Sequence, residues 1–248
     1  YGGGDWDDTL QPIDDSMKKN LVSSWTQALA YQVFSLLYQM VKECDPHYAI
    51  HLKQLADSVR EAFERYLIID GVVAGFVYYI GQGAFSPMLH PGDTDTGIHL
   101  RLIPLTRSIL SGIADRKLAE ASLELIEGRL HFPDGVRLMD RPAAYSGGVS
   151  RLFKRAEQAA NVGREISLQY VHAHIRYIEA LCRLGEADMA WRALFEISPI
   201  CTKDQVPNAA FRQSNLYYSS SDGAFSDRYE YESGFERLRD GSVDVKGG

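Results

Sequence analysis

Basic runs are missing from this sequence. Its 26 lysines and arginines are outnumbered by 33 aspartates and glutamates, giving a formal charge of −7. A phosphate backbone needs clustered Lys and Arg, so nucleic acid is excluded as the main partner. Long apolar runs are missing too. The longest, Val72 to Ile80, is too short to span a bilayer, so no membrane is expected as partner. Cysteine is scarce: Cys44, Cys182 and Cys201 are an odd number without disulfide or metal-ligand spacing. That usage suits a reducing compartment, and the expected location is the cytoplasm. An initiating Met and a signal peptide are also missing. The chain opens inside a motif and stops at Lys246-Gly247-Gly248. It reads as an excerpt of a longer protein.

What is present can build an ordinary core. In 248 residues, 45% are hydrophobic and 11% aromatic, enough to bury a sizeable interior. Apolar residues fall at helical spacing from about Ser16 to Glu43, through Leu21, Trp25, Leu29, Val33, Leu36, Leu37 and Met40. Asp45-Pro46 reads as an N-cap followed by proline at the first helical position. A second helix to about Ile68 follows, with Leu52, Leu55, Val59, Ala62 and Phe63 on one face. Asp70 to Pro91 is rich in Gly and aromatics and is expected to be a loop with a short strand.

An internal repeat lies further on. Thr96 to Ile126 and Ser167 to Ile197 align at an offset of 71 residues, matching Ala119 with Ala190, Leu123 with Leu194 and Ile126 with Ile197. Each stretch reads as helix, short turn, helix. Such a hairpin cannot bury its apolar face alone, so it must stack on neighbours as an open solenoid or a closed toroid. The connections Gly81 to Gly97, His131 to Gly148 and Thr202 to Asp227 are long and polar. Their aromatics, Phe85, Tyr145, Tyr217, Tyr218, Phe225 and Tyr229, argue against disorder and could carry pyranose rings.

The first eight residues are Tyr1-Gly2-Gly3-Gly4-Asp5-Trp6-Asp7-Asp8. Three glycines allow close backbone approach to a ligand. Three carboxylates within four positions repel one another, which raises the pKa of one of them. A carboxyl kept protonated in this way can serve as a general acid. The indole of Trp6 can shield it and stack on a sugar.

This stretch resembles the catalytic signature of glycoside hydrolase family 94, the inverting glycoside phosphorylases, whose usual form is Asp-Trp-Asn-Asp. Asp7 stands where Asn is usual. The continuation Thr9-Leu10-Gln11-Pro12 is most similar to the branch acting on 1,2-β-oligoglucans. The resemblance implies an all-α (α/α)6 toroid. This chain would supply the C-terminal part of that single catalytic barrel domain, as a partial barrel of hairpins. It implies inverting phosphorolysis of β-linked gluco-oligosaccharides, β-1,2-linked by the branch, to α-glucose 1-phosphate and a shortened oligosaccharide. Inorganic phosphate is then a co-substrate and nucleophile, and neither metal nor organic cofactor is needed. The isolated chain is expected to be inactive; family members are often dimers, so a homodimer is one expectation for the full-length protein.

By the same resemblance Asp5 is the general acid, with Trp6 and Asp8 among the substrate-binding residues. Gly163-Arg164-Glu165 and His172 match a family pattern in which a basic and acidic pair contacts sugars and a His contacts phosphate. His172 and Arg164 are thus expected at phosphate, and Glu165 at sugar. The segment Arg212-Gln213-Ser214-Asn215-Leu216-Tyr217 resembles a sugar subsite and makes Arg212, Asn215 and Tyr217 candidates. Three alternatives keep the same residues: a glucosyltransferase or cyclising relative using the same acid, a helical module that binds carbohydrate without chemistry, and an (α/α)6 inverting hydrolase whose second carboxylate would come from Asp7, Asp8 or Glu165.

Overall fold

The computed structural model describes residues 5–158, 169–198, 200–209 and 223–244. The chain starts in a short 3-10 turn, Asp8–Leu10, capped by the Asp7 side chain. Helix α1 (Asp15–Asn20) begins where the Asp14 carboxylate accepts the Met17 N–H. The apolar spacing from Ser16 to Glu43 is not one helix. Strand β1 (Leu21–Ser23) interrupts it, and α2 (Ser24–Val41) starts afresh. The break arises because β1 pairs with a distant strand and because the Ser23 hydroxyl caps the new helix at the Thr26 N–H. Helix α3 (Pro46–Tyr66) starts as its sequence predicts, with the Asp45 carboxylate on the Tyr48 N–H and proline in the first turn.

The segment after α3 is more β-like than its glycines suggest. Strands β2 (Ile68–Ile69) and β3 (Val72–Val73) form a small hairpin. Strand β4 (Phe76–Gly81) then pairs antiparallel with both β1 and β5 (Ala84–Met88), in the order β1-β4-β5. The expectation of an all-α chain is corrected accordingly: the fold is mostly helical with some strands. β-branched and aromatic side chains between Val72 and Ile80 favour the pleated surface over a helix.

The repeat is present. Helix α4 (Leu102–Ser111) turns into α5 (Arg116–Leu125), followed by a π-helical turn, Ile126–Leu130, and the hairpin β6 (His131–Phe132) and β7 (Gly135–Val136). After the short α6 (Lys154–Gln158), α7 (Val171–Leu184) turns into α8 (Ala187–Glu196). The second helices start at Asp115 and Glu186, which are 71 residues apart, and matched Ala119 and Ala190 are both buried. The described chain closes with α9 (Thr202–Gln205) and α10 (Arg228–Gly234).

Helices α2, α4 and α7 pack side by side, with α3, α5 and α8 as their hairpin partners. A single core cluster joins Leu10, Leu21, Phe76, Leu102, Val136, Phe153 and Leu181, so the N-terminal turn is built into the same interior as the hairpins. Helix α2 also carries Val33, Leu36, Leu37 and Met40 at i, i+3, i+4 and i+7, all exposed. No described helix is long and apolar enough to cross a membrane.

Candidate functional site

The turn Asp5–Asp8 lies where three helices begin. Asp5 is enclosed. Its carboxylate takes a bidentate pair of hydrogen bonds from Arg101, at 3.0 Å from Nη1 and 2.5 Å from Nη2. Arg101 immediately precedes α4, and its guanidinium lies 4.7 Å from the ring centroid of Phe76. The Ser23 hydroxyl, which caps α2, donates to the other side of Asp5, and the Asp7 N–H donates at 2.9 Å. Both side chains of the pair are shut off from solvent, 1% exposed for Arg101 and 0% for Asp5. Burial alone would push the Asp5 carboxyl up. The Arg101 guanidinium, then the Ser23 hydroxyl and the Asp7 N–H, outweigh it and hold Asp5 below its ordinary pKa. Asp5 is therefore an ionised structural partner of two helix starts, the reverse of a carboxyl kept protonated for acid catalysis.

The raised pKa belongs to Asp7. Its Oδ1 accepts the Thr9 N–H at 3.0 Å and the Thr9 hydroxyl, and thereby caps the turn. Among the described residues its Oδ2 has no hydrogen-bond partner, and it lies 3.9 Å from the Arg101 Nη2, a nitrogen already bonded to Asp5. Burial is the main cause of a shift up to about 7, assisted by the Asp5 charge and opposed by Arg101 and Thr9. Asp8 is different from both. Its side chain is 69% exposed and its Oδ2 lies 3.6 Å from the Arg155 guanidinium on α6. Of the three carboxylates, Asp8 alone can meet a substrate without rearrangement.

Trp6 faces the third helix start. Its ring meets Tyr170, immediately before α7, edge-on at 5.4 Å, and His172 edge-on at 5.5 Å. A small cleft is lined by Trp6, Trp25, Thr106, Arg107, His172 and Arg176. Arg107 bonds Gln32 at 2.9 Å, while its Nε is buried without a partner. Arg176 bonds Glu179 at 2.6 Å and donates from Nε to the His172 Nε2 at 3.4 Å. Burial and then the positive charges of Arg176 and Arg107 lower the His172 pKa, so the imidazole is neutral near pH 7. With Nε2 accepting, its proton sits on Nδ1. The cleft thus combines two guanidiniums, an N–H donor and two indoles.

Trp6 and His172 meet ring against ring, and Asp8, two residues from Trp6, faces Arg155. Arg164, Glu165, Arg212, Asn215 and Tyr217 lie outside the described residues. Arg101, Ser23, Arg107 and Arg176 are the residues that sequence reasoning passed over. Arg107 and Arg176 are each the sixth residue of the first helix of a hairpin, but they are 69 residues apart and so fall outside the 71-residue register of the repeat. No sequence pattern pairs Arg101 with Asp5 across 96 positions.

No family model matches the chain. Across 249 aligned residues, covering all of it, the chain is 53% identical to a 1,2-beta-oligoglucan phosphorylase of Listeria innocua serovar 6a. It spans 22% of that protein's length. This likeness bears out the resemblance to the oligoglucan phosphorylases carried by the Asp-Trp-Asp-Asp signature.

Proposed function

We propose that this chain is part of the barrel of an inverting glycoside phosphorylase that cleaves β-1,2-linked gluco-oligosaccharides with inorganic phosphate. The hairpins α2/α3, α4/α5 and α7/α8 are three of the six of an (α/α)6 toroid, and the exposed stripe on α2 is a face for further helices. The observation that carries the reaction is the cationic cleft of His172, Arg107 and Arg176 against Trp6, two residues along the chain from the exposed Asp8. Phosphorolysis needs one proton for the departing glycosidic oxygen and an anion held in line with the anomeric carbon. Phosphate is anionic near neutral pH and needs no base. Three helix N-termini meet at this turn, and their dipoles favour the anion.

In this reading Asp8 donates the proton. Asp5 and its neighbours hold the turn, and this replaces the assignment of Asp5 as acid. The reason is access: both Asp5 oxygens are occupied, by Arg101, Ser23 and the Asp7 N–H, and its side chain is shut off from solvent. His172 orients phosphate through Nδ1–H, Arg107 and Arg176 add positive potential, and Trp6 supports the sugar. Arg164 would add to the phosphate site, and Glu165, Arg212, Asn215 and Tyr217 would contact sugars. Attack opposite the leaving group gives α-glucose 1-phosphate from a β-linkage.

The test is an assay of the intact protein with β-1,2-gluco-oligosaccharides, with and without phosphate. The expected product is α-glucose 1-phosphate, formed only with phosphate. Asp8→Asn is expected to lower kcat by about 10²- to 10⁴-fold, the usual worth of a general acid. Phosphate-independent turnover, or an unimpaired Asp8→Asn enzyme, would overturn the proposal.

A further inference from the structure

Asp7 is fully buried, yet its carboxyl has only one satisfied oxygen. Oδ1 takes both donors of Thr9, while Oδ2 has no hydrogen-bond partner among the described residues. A carboxylate placed this way would carry a charge with half its acceptor capacity unused and out of water, an expensive arrangement. Among the described residues, the cation that could offset it, Arg101, is already engaged. Arg101 gives its two terminal nitrogens to Asp5 and stays 3.9 Å from Asp7 Oδ2. The other groups packed on the turn are directed elsewhere. Arg155 on α6 reaches Asp8, and the Glu157 carboxylate accepts the backbone N–H groups of Arg151, Leu152 and Phe153.

We infer that Asp7 is a positioning residue that works as a neutral carboxylic acid, holding Thr9 and so fixing the turn that presents Asp8. The inference rests on the role given to Asp8 above. A neutral Asp7 leaves the bidentate Arg101–Asp5 pair undisturbed. Ionised Asp7 would place a second negative charge beside Asp5 and draw Arg101 away from it. Asparagine has the same shape and keeps the accepting oxygen without any charge, so it can replace the neutral acid but not the anion. The arrangement has a direct consequence for pH. Folding takes up a proton at Asp7, so stability from this residue is present in acid and lost as pH rises towards 7.

The experiment compares the intact wild-type protein with Asp7→Asn and Asp7→Ala. Denaturant midpoints are measured from pH 5 to pH 8.5, and kcat and KM for phosphorolysis at pH 6 and 8. The midpoint of Asp7→Asn is expected to gain on wild type between pH 5 and 7, then to run level. Asp7→Ala, which loses the hold on Thr9, is expected to lower kcat more than 10-fold with KM little changed. Asp7→Asn should restore most of that loss. A midpoint gap independent of pH would overturn the neutral acid, and equal loss of kcat in Asn and Ala would overturn the positioning role. If wild type itself showed no phosphorolysis, the proposed reaction would fall, along with the positioning of an acid. The pH dependence of the gap would still decide the protonation of Asp7.

Discussion

Asp5→Asn separates a structural carboxylate from a catalytic one. The side chains of Asp5 and Arg101 are 0% and 1% exposed, and two hydrogen bonds join them. Removing the charge of one partner leaves the other buried without compensation, which typically costs about 3–5 kcal/mol. The Ser23 hydroxyl, which caps α2, would also lose its ionic acceptor. In a domain of this size about 1 kcal/mol moves the melting temperature by roughly 2–4 °C, so a fall of about 10 °C is expected. The loss should depend on pH. Asp5 has a lowered folded pKa, so its contribution is present above the unfolded value of about 3.8 and fades as pH falls through the folded value. The assay is thermal and denaturant unfolding of the intact protein at pH 7 and near pH 3.5. Adding Arg101→Met to Asp5→Asn should recover part of the stability, because the orphaned cation is gone. An Asp5→Asn protein as stable as wild type, with its turnover abolished, would refute the reasoning and return the acid's role to Asp5.

Two further outcomes follow from the same packing. His131 is clamped by Glu127 at 3.1 Å and Glu196 at 2.9 Å. Burial opposes its charge, but the two carboxylates prevail and raise its pKa to about 9. Its contribution is therefore full below pH 6.5 and lost as pH rises towards 9, about 2–3 kcal/mol at most, and unfolding of His131→Gln against wild type at pH 6 and pH 9 should show it. Gly135 has φ +123°, and a Cβ there would lie 2.8 Å from His174 Nδ1, the atom that accepts the Val136 N–H. Gly135→Ala is expected to cost about 1–3 kcal/mol in denaturant unfolding, and an unchanged midpoint would contradict that geometry.

Much of the fold was legible because helices announce themselves locally. Asp45-Pro46 marked the start of α3, and the 71-residue offset marked two hairpins, since caps and 3.6-residue periodicity are properties of adjacent residues. The break at Leu21–Ser23 was not legible, because its cause is Phe76–Tyr78, more than fifty residues on. The same asymmetry governs the site. Three close carboxylates announced that one pKa would rise, but which one depends on Arg101, a residue 96 positions away whose geometry no local pattern contains. That distant guanidinium divides the work among three adjacent aspartates. It pairs with Asp5 and keeps it ionised, and among the described residues it leaves buried Asp7 without a cation of its own. Asp8, which it does not reach, stays at the surface. A sequence can state that acids are present, but burial and the position of one arginine decide which of them is charged, which is neutral and which is free to meet a substrate.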